Sequence, residues 1–78
     1  MAARTKAILK VLARGGEEKI ASTVMRIFGA STLEECAATY EVVGAAERAT
    51  LDEAVERVAA NGSAVFLLRL DNEVANAR

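Results

Sequence analysis

The stretch that decides the fold is Ser31–Gly62, with the sequence STLEECAATYEVVGAAERATLDEAVERVAANG. It contains two similar units, residues 31–44 and 49–62, which share a threonine, a leucine and a glutamate at the start and a glycine at the end. Between these signals the apolar side chains recur every three or four residues, which is the period of a helix with one buried face. The stretch therefore predicts two helices, over 32–43 and 50–60.

Both units carry a signal for the start of a helix. Ser31 and Thr32 are each followed three residues later by a glutamate, and so is Thr50. At this spacing the hydroxyl and the carboxylate satisfy free backbone N–H groups of the first turn, an arrangement called a capping box. The shared residues are mostly start and stop signals, so two unrelated capped helices explain them as well as a duplication does.

A single helix over 32–60 is the alternative, because the two units are offset by eighteen residues. Eighteen residues make five turns, so Leu33 and Leu51 would lie on the same face. Such a helix would be about 43 Å long, would exceed the diameter of a compact chain of this size, and would hold Gly44 in its interior. We therefore expect a break within 44–49, while the long helix suits an elongated helical dimer.

Two further helices are expected before this stretch. Residues 3–14 have apolar side chains at helical spacing, and a glycine pair follows them. Residues 17–28 begin with two glutamates, which suit the positive end of a helix dipole, and Gly29 follows. A hairpin with strands at 5–13 and 19–28 is the alternative, but the alternation of apolar and polar residues that a strand needs is missing.

Residues 63–70, with the sequence SAVFLLRL, form the most apolar run of the chain and are bounded by turn-forming residues on both sides. Such a run is typical of a buried strand, and a short buried helix is the alternative. A strand needs a partner, which is either 73–77 folded back in a hairpin or the same segment of a second chain.

Together these segments predict one domain, residues 1–78, of the mainly α class: a small four-helix domain with a C-terminal apolar strand or short hairpin. The predicted core consists of Ile8, Val11, Leu12, Ile20, Val24, Ile27, Phe28, Leu33, Ala37, Tyr40, Val43, Leu51, Val55, Val58, Val65, Phe66 and Leu68.

The composition is that of a folded, non-membrane protein, with 27% charged residues and a net charge of −1. The sequence has no apolar run long enough to span a bilayer and no signal peptide. Its one cysteine, Cys36, cannot form an internal disulfide, which fits a reducing compartment. We therefore expect a cytoplasmic protein with no membrane association.

Few residues suit catalysis, so we expect no enzyme activity, no cofactor and no metal. There is no histidine, the commonest general base near neutral pH and the commonest metal ligand. Cys36 lies in the predicted apolar stripe, as a small core residue does. The adjacent acids at 34–35 and 52–53 fall at predicted helix starts, where capping explains them better than metal binding does.

Charge is distributed unevenly along the chain, which raises two possible roles in binding nucleic acid or imitating it. Residues 1–28 have a balance of +4 and residues 29–60 a balance of −5. Helices 17–28 and 32–43 resemble a helix-turn-helix, although the second carries no lysine or arginine to neutralise phosphate. The acidic middle suggests a nucleic-acid mimic that blocks a basic groove, and opposite charges that pair within the fold are the simpler explanation.

The favoured function is a non-catalytic protein–protein interaction module: an adaptor, a regulator or a small inhibitor that associates with another protein and forms a homodimer. An alanine-rich, thin core and the apolar 63–70 segment both suggest surface that association buries. The candidate acidic partner-binding face consists of Glu34, Glu35, Glu41, Asp52, Glu53 and Glu56; the candidate face for an anionic partner of Arg4, Lys6, Lys10 and Arg14; and the candidate self-association surface of Val65, Phe66, Leu68 and Leu70.

Overall fold

The structure is a computed structural model that describes residues 3–77; residues 1, 2 and 78 of the expected domain lie outside this description. It confirms the mainly α class. The chain forms five helices and no β-strand within the described residues. The helices are α1 (Thr5–Ala13), α2 (Glu18–Phe28), α3 (Leu33–Val42), α4 (Ala45–Ala59) and α5 (Ala64–Asn76).

The predicted cap at the start of α3 is confirmed at Thr32, but the reciprocal bond from Glu35 reaches the residue before the cap instead of the cap residue itself. The Thr32 hydroxyl accepts the backbone N–H of Glu35 at 3.0 Å. The Glu35 carboxylate in turn accepts the backbone N–H of Ser31 at 3.2 Å. Just before this turn, Gly29 ends α2 in the left-handed conformation (φ 67°), which glycine adopts at little steric cost. Local signals therefore set the boundary between α2 and α3.

The chain breaks at Gly44, as expected, but α4 begins at once at Ala45. Val43 and Gly44 are both extended, with ψ of 157° and 168°, so a single helix over 32–60 does not form. The predicted capping box at Thr50 is wrong, since Thr50 lies inside α4 and its hydroxyl donates to the carbonyl of Ala46 at 3.3 Å. The cause is propensity: the residues before Thr50 are mostly good helix formers, and they extend the helix upstream.

The predicted strand at 63–70 and the hairpin that 73–77 would complete are wrong, because both segments belong to α5. Ser63 caps the helix, and its hydroxyl accepts the N–H of Phe66 at 3.1 Å. Phe66 and Leu70, four residues apart, point into the core, which is helical spacing. The run has apolar residues on both faces, so its pattern does not separate a helix from a strand.

All five helices contribute to one core, and α1 contacts each of the other four. Predicted core residues Ala37, Val65 and Leu68 are instead exposed. The Cα atoms have a radius of gyration of 11.5 Å, the size expected for this chain length. None of the described helices has the length and apolar character needed to cross a membrane. The buried apolar core consists of Ile8, Leu9, Val11, Leu12, Val24, Cys36, Tyr40, Val55, Ala59, Phe66 and Leu70.

Candidate functional site

A groove lies between α1 and α3, with a volume of about 600 Å³. We call it the α1–α3 groove. Met25 of α2 also lines it, and we call the two apolar residues Leu9 and Met25 its apolar floor. Its lining is mostly apolar, and the charged side chains belong to the two flanking helices. The lining residues are Lys6, Leu9, Lys10, Ala13, Met25, Leu33, Glu34, Ala37, Tyr40 and Glu41.

Helical periodicity and small side chains explain why the groove is open. The lining residues of α1 recur at helical spacing, and so do those of α3, so each helix presents one stripe. Leu9 is buried at the bottom, whereas Ala13 and Ala37 are exposed on the walls. A methyl group extends too short a distance to fill the space between two helices, so the alanines leave the apolar floor accessible.

One end of the groove is closed by an ion pair. The Lys6 ammonium lies 2.7 Å from the Glu41 carboxylate, and its hydrogen bond and charge lower the pKa of Glu41. A smaller cavity of about 290 Å³ lies beyond this pair, beside Arg48. Away from this end, Glu34 forms no ion pair or side-chain hydrogen bond with the residues that the structure describes. Lys10 has only a distant acid, Glu73, at 3.9 Å.

Tyr40 forms a fixed wall of the groove because three helices hold it. Its hydroxyl donates to Asp52 Oδ1 at 2.7 Å, and the buried Thr5 hydroxyl donates to the same oxygen at 2.6 Å. Arg48 lies 5.2 Å above the ring and donates from Nε to the Tyr40 carbonyl at 3.2 Å. Phe28 packs edge-on against the ring. Burial, followed by the bond to Asp52, raises the pKa of Tyr40.

The residues of the predicted acidic face are mostly engaged inside the fold. The Glu35 carboxylate accepts the backbone N–H of Ser31, and the Asp52 carboxylate accepts the two hydroxyls described above. Glu53 pairs with Arg57 one turn along α4 at 2.8 Å. With Glu41 bound to Lys6 and Glu56 to Arg4, five of the six acids have a partner within the chain. Glu34, which lines the groove, has no such partner among residues 3–77.

The predicted basic face is paired in the same way. Arg4 binds Glu56 at 2.8 Å, and Arg14 binds Glu73 at 2.6 Å. Lys6 binds Glu41, and Lys10 is the member of the set with the weakest pairing. The basic first third of the sequence therefore largely faces acids of α3, α4 and α5, which supports the simpler expectation that the opposite charges pair within the fold.

Of the four residues of the predicted self-association surface, two are buried and two are exposed. Phe66 and Leu70 are buried, so they cannot contact a second chain without leaving the core. Val65 and Leu68 are 60% and 62% exposed on the outer side of α5. A helix separates these two pairs onto opposite faces, whereas the sequence presents them as one run. Only Val65 and Leu68 stay available as a candidate surface.

Cys36 is a free cysteine whose side chain is fully buried. Its side chain is buried against the core cluster, and burial raises the pKa of the thiol. Among residues 3–77, no three side chains of the types that bind metals come together.

Sequence reasoning singled out only part of the groove. Tyr40 and Leu33 were expected in the core, and Lys6, Lys10, Glu34 and Glu41 were named as charged candidates. Leu9, Ala13 and Met25 were missed, because no local pattern shows that α1 and α3 lie side by side over α2. Comparison with protein-family models, with curated proteins and with solved structures found no match to this chain.

Proposed function

We propose that this domain is a non-catalytic protein-binding module, an adaptor, a regulator or a small inhibitor, and that its binding surface is the α1–α3 groove. The observation that carries the proposal is the combination of an accessible apolar floor with charged residues on both rims. Protein-binding grooves have this composition, since apolar contacts supply affinity and the charged rim selects the partner.

The rigidity of the groove supports the same function. Leu9 belongs to the buried core, and Tyr40 is held by Asp52 and Arg48. A surface whose walls are already ordered loses little conformational entropy when a partner binds. The contacts that hold Leu9 and Tyr40 in the folded domain therefore also preorganise the groove for binding.

Charge pairing makes the two nucleic-acid hypotheses less favourable than protein binding. A phosphate-binding face requires cations that are free to replace counterions, and Arg4, Lys6 and Arg14 each have an acid within 3 Å. A nucleic-acid mimic requires unpaired acids, and most of the candidate acids already have partners. Self-association through Val65 and Leu68 is a second form of protein binding, on a different surface.

The test is capture of proteins from the native host by three immobilised forms of the domain: wild type, Ala37→Glu and Ala38→Glu. Ala37 lines the groove, whereas its neighbour Ala38 is exposed outside it, so the second variant controls for an added charge on α3. We expect one or more proteins to bind wild type and Ala38→Glu and to be lost from Ala37→Glu. Equal capture by all three forms would contradict the assignment of the groove, and capture of nothing would contradict protein binding.

A further inference from the structure

We propose that the occupant of the α1–α3 groove is a two-turn amphipathic helix of a partner protein, with acidic residues on one flank of its apolar stripe and basic residues on the other. This inference rests on the proposed function and names the chemistry of the partner. It is carried by the length of the groove, by the signs of charge on its two rims and by the absence of a sheet edge in residues 3–77.

The length of the groove sets the size of the occupant. The lining of α3 extends from Leu33 to Glu41, eight steps along the chain that rise about 12 Å along the helix axis. Two turns of a helix lying in the groove have nearly the same length. Apolar side chains at positions i, i+3 or i+4, and i+7 of such a helix form one stripe, which can contact Leu9, Met25 and Leu33.

The other common ways of binding a peptide fit this site less well. Addition of a strand requires an exposed sheet edge, and residues 3–77 contain no strand. Proline-rich segments bind between several aromatic side chains, whereas Tyr40 is the one aromatic residue of the lining. A helix requires an apolar groove between two helices, which is what α1 and α3 form.

The two rims of the groove have opposite charge, and this determines which charges the bound helix should carry on its two flanks. The α1 rim carries Lys6 and Lys10, and the α3 rim carries Glu34 and Glu41. Lys6 and Glu41 already pair across one end, and Lys10 is held only weakly, 3.9 Å from Glu73, so the charges most available to a partner are those of Lys10 and Glu34. A helix with one acidic and one basic flank complements both rims. A helix whose two flanks carry the same charge is repelled by one of the rims.

A second copy of this chain fits the groove less well than such a partner does. The large apolar side chains exposed on α5 are those of Val65 and Leu68. The next position of the same stripe is Asn72, which is polar. The outer face of α5 thus supplies two apolar contacts where the length of the groove accepts three, so a separate protein is the better match.

Three synthetic helical peptides test the inference by NMR titration of the isotope-labelled domain. They share one leucine stripe at i, i+3, i+4 and i+7 and differ only in their flanks, which are acidic and basic, both acidic, or both basic. We expect the mixed peptide to bind most tightly and to shift resonances of Leu33, Ala37 and Met25. We expect Ala37→Glu to weaken binding about tenfold, since it places a charge on the apolar wall, and Ala38→Glu to bind as wild type does.

Rim variants test the charge argument separately. We expect Glu34→Lys, which makes both rims basic, to change the preferred peptide to the one with two acidic flanks. Lys10→Glu should change the preference to the peptide with two basic flanks. Exposed charge pairs are weak, so each change of preference is expected to be about two- to fivefold.

Four results would overturn the inference. Equal affinity for the three peptides would remove the role of the rims, and tighter binding of a peptide spanning residues 63–76 would make a second copy the occupant. If none of the peptides binds but proteins of the host are still captured in an Ala37-dependent way, the helical partner is wrong while the proposed function stands. Saturation of the groove by decanoate in the absence of peptide binding would identify a site for small apolar ligands instead.

Discussion

Arg4 and Glu56 form a bidentate ion pair that connects the start of α1 to α4. Arg4 Nε lies 3.1 Å from Glu56 Oε2, and Arg4 Nη2 lies 2.8 Å from Oε1. The backbone N–H of Arg4 also donates to Glu56 at 3.3 Å. Helix α1 has no side-chain cap and no acid in its first turn. The first turn of α1 therefore receives its negative charge from Glu56 of α4, which lies near the positive end of the α1 dipole.

We expect this pair to contribute measurably to stability at neutral pH. Arg4→Gln and Glu56→Gln should each lower the free energy of unfolding by about 0.5–1 kcal/mol, a surface value, since both side chains are about one-third exposed. Urea denaturation of the two variants and the double variant measures the coupling energy. Additive effects would contradict a direct interaction.

The same pair predicts a pH dependence. The hydrogen bond from Arg4 is the main cause that lowers the pKa of Glu56 below its ordinary value of 4.5. Stabilisation by a lowered carboxyl pKa is present above that value and is lost as the pH falls through the folded-state pKa. Between pH 6 and pH 3, about where carboxyl groups titrate, Arg4→Gln should therefore lose less stability than wild type. Parallel curves for the two proteins would argue against this assignment.

Tyr40 predicts a second pH dependence, at the alkaline end. Because its pKa is raised in the fold above 10.0, its contribution is present below pH 10 and is lost as the pH rises through the folded-state pKa. It is the only tyrosine, so tyrosinate absorbance reports its titration directly. We expect a raised pKa that returns to the ordinary value in urea.

The companion variant is Tyr40→Phe. It removes the hydrogen bond to Asp52 and should cost about 1 kcal/mol at neutral pH. Its stability should also fall less steeply than that of wild type above pH 10. A tyrosine that titrates at the same pH in folded and unfolded protein would contradict the bond seen in the structure.

Gly62 is expected to be intolerant of a side chain. A methyl group built at this position overlaps the ring of Phe66, which is buried and has no open direction in which to move. Gly62→Ala should lower the free energy of unfolding by about 1–3 kcal/mol, the usual cost of overpacking. Gly44→Ala is the control, because the space around Gly44 is open and its φ of −71° suits any residue. Thermal melting of the two variants should show the larger loss for Gly62→Ala.

Self-association stays a prediction, and on α5 it can involve only the exposed members of the predicted surface, Val65 and Leu68. Light scattering at two concentrations should show a rise in mass towards two chains, and Leu68→Glu should abolish that rise without lowering the melting temperature, because Leu68 is exposed. Ala38→Glu serves as the control for the added charge. A wild-type protein that stays monomeric at both concentrations would contradict the homodimer.

Much of the helical structure could be predicted, because its signals are local. The Thr32 cap, Gly29 and the break at Gly44 each act within one turn of the chain, and each appears in the structure as expected. The errors came where a local signal was ambiguous. Thr50 resembles a cap but lies within good helix formers, and the 63–70 run has apolar residues on both faces, so tertiary burial of Phe66 and Leu70 selected its conformation.

The sequence by itself determined a mainly helical chain and the positions of most of its helix ends, since hydrogen bonds of caps and left-handed glycines involve residues only a few positions apart. Tertiary structure alone decided which charges are free and where a groove lies. Arg4 and Glu56 are 52 residues apart, and Tyr40 and Asp52, which lie on different helices, are 12 apart. The pairing of both depends on how the helices pack. The Thr32–Glu35 cap is local, whereas the α1–α3 groove exists only because two stripes separated along the chain lie side by side over α2.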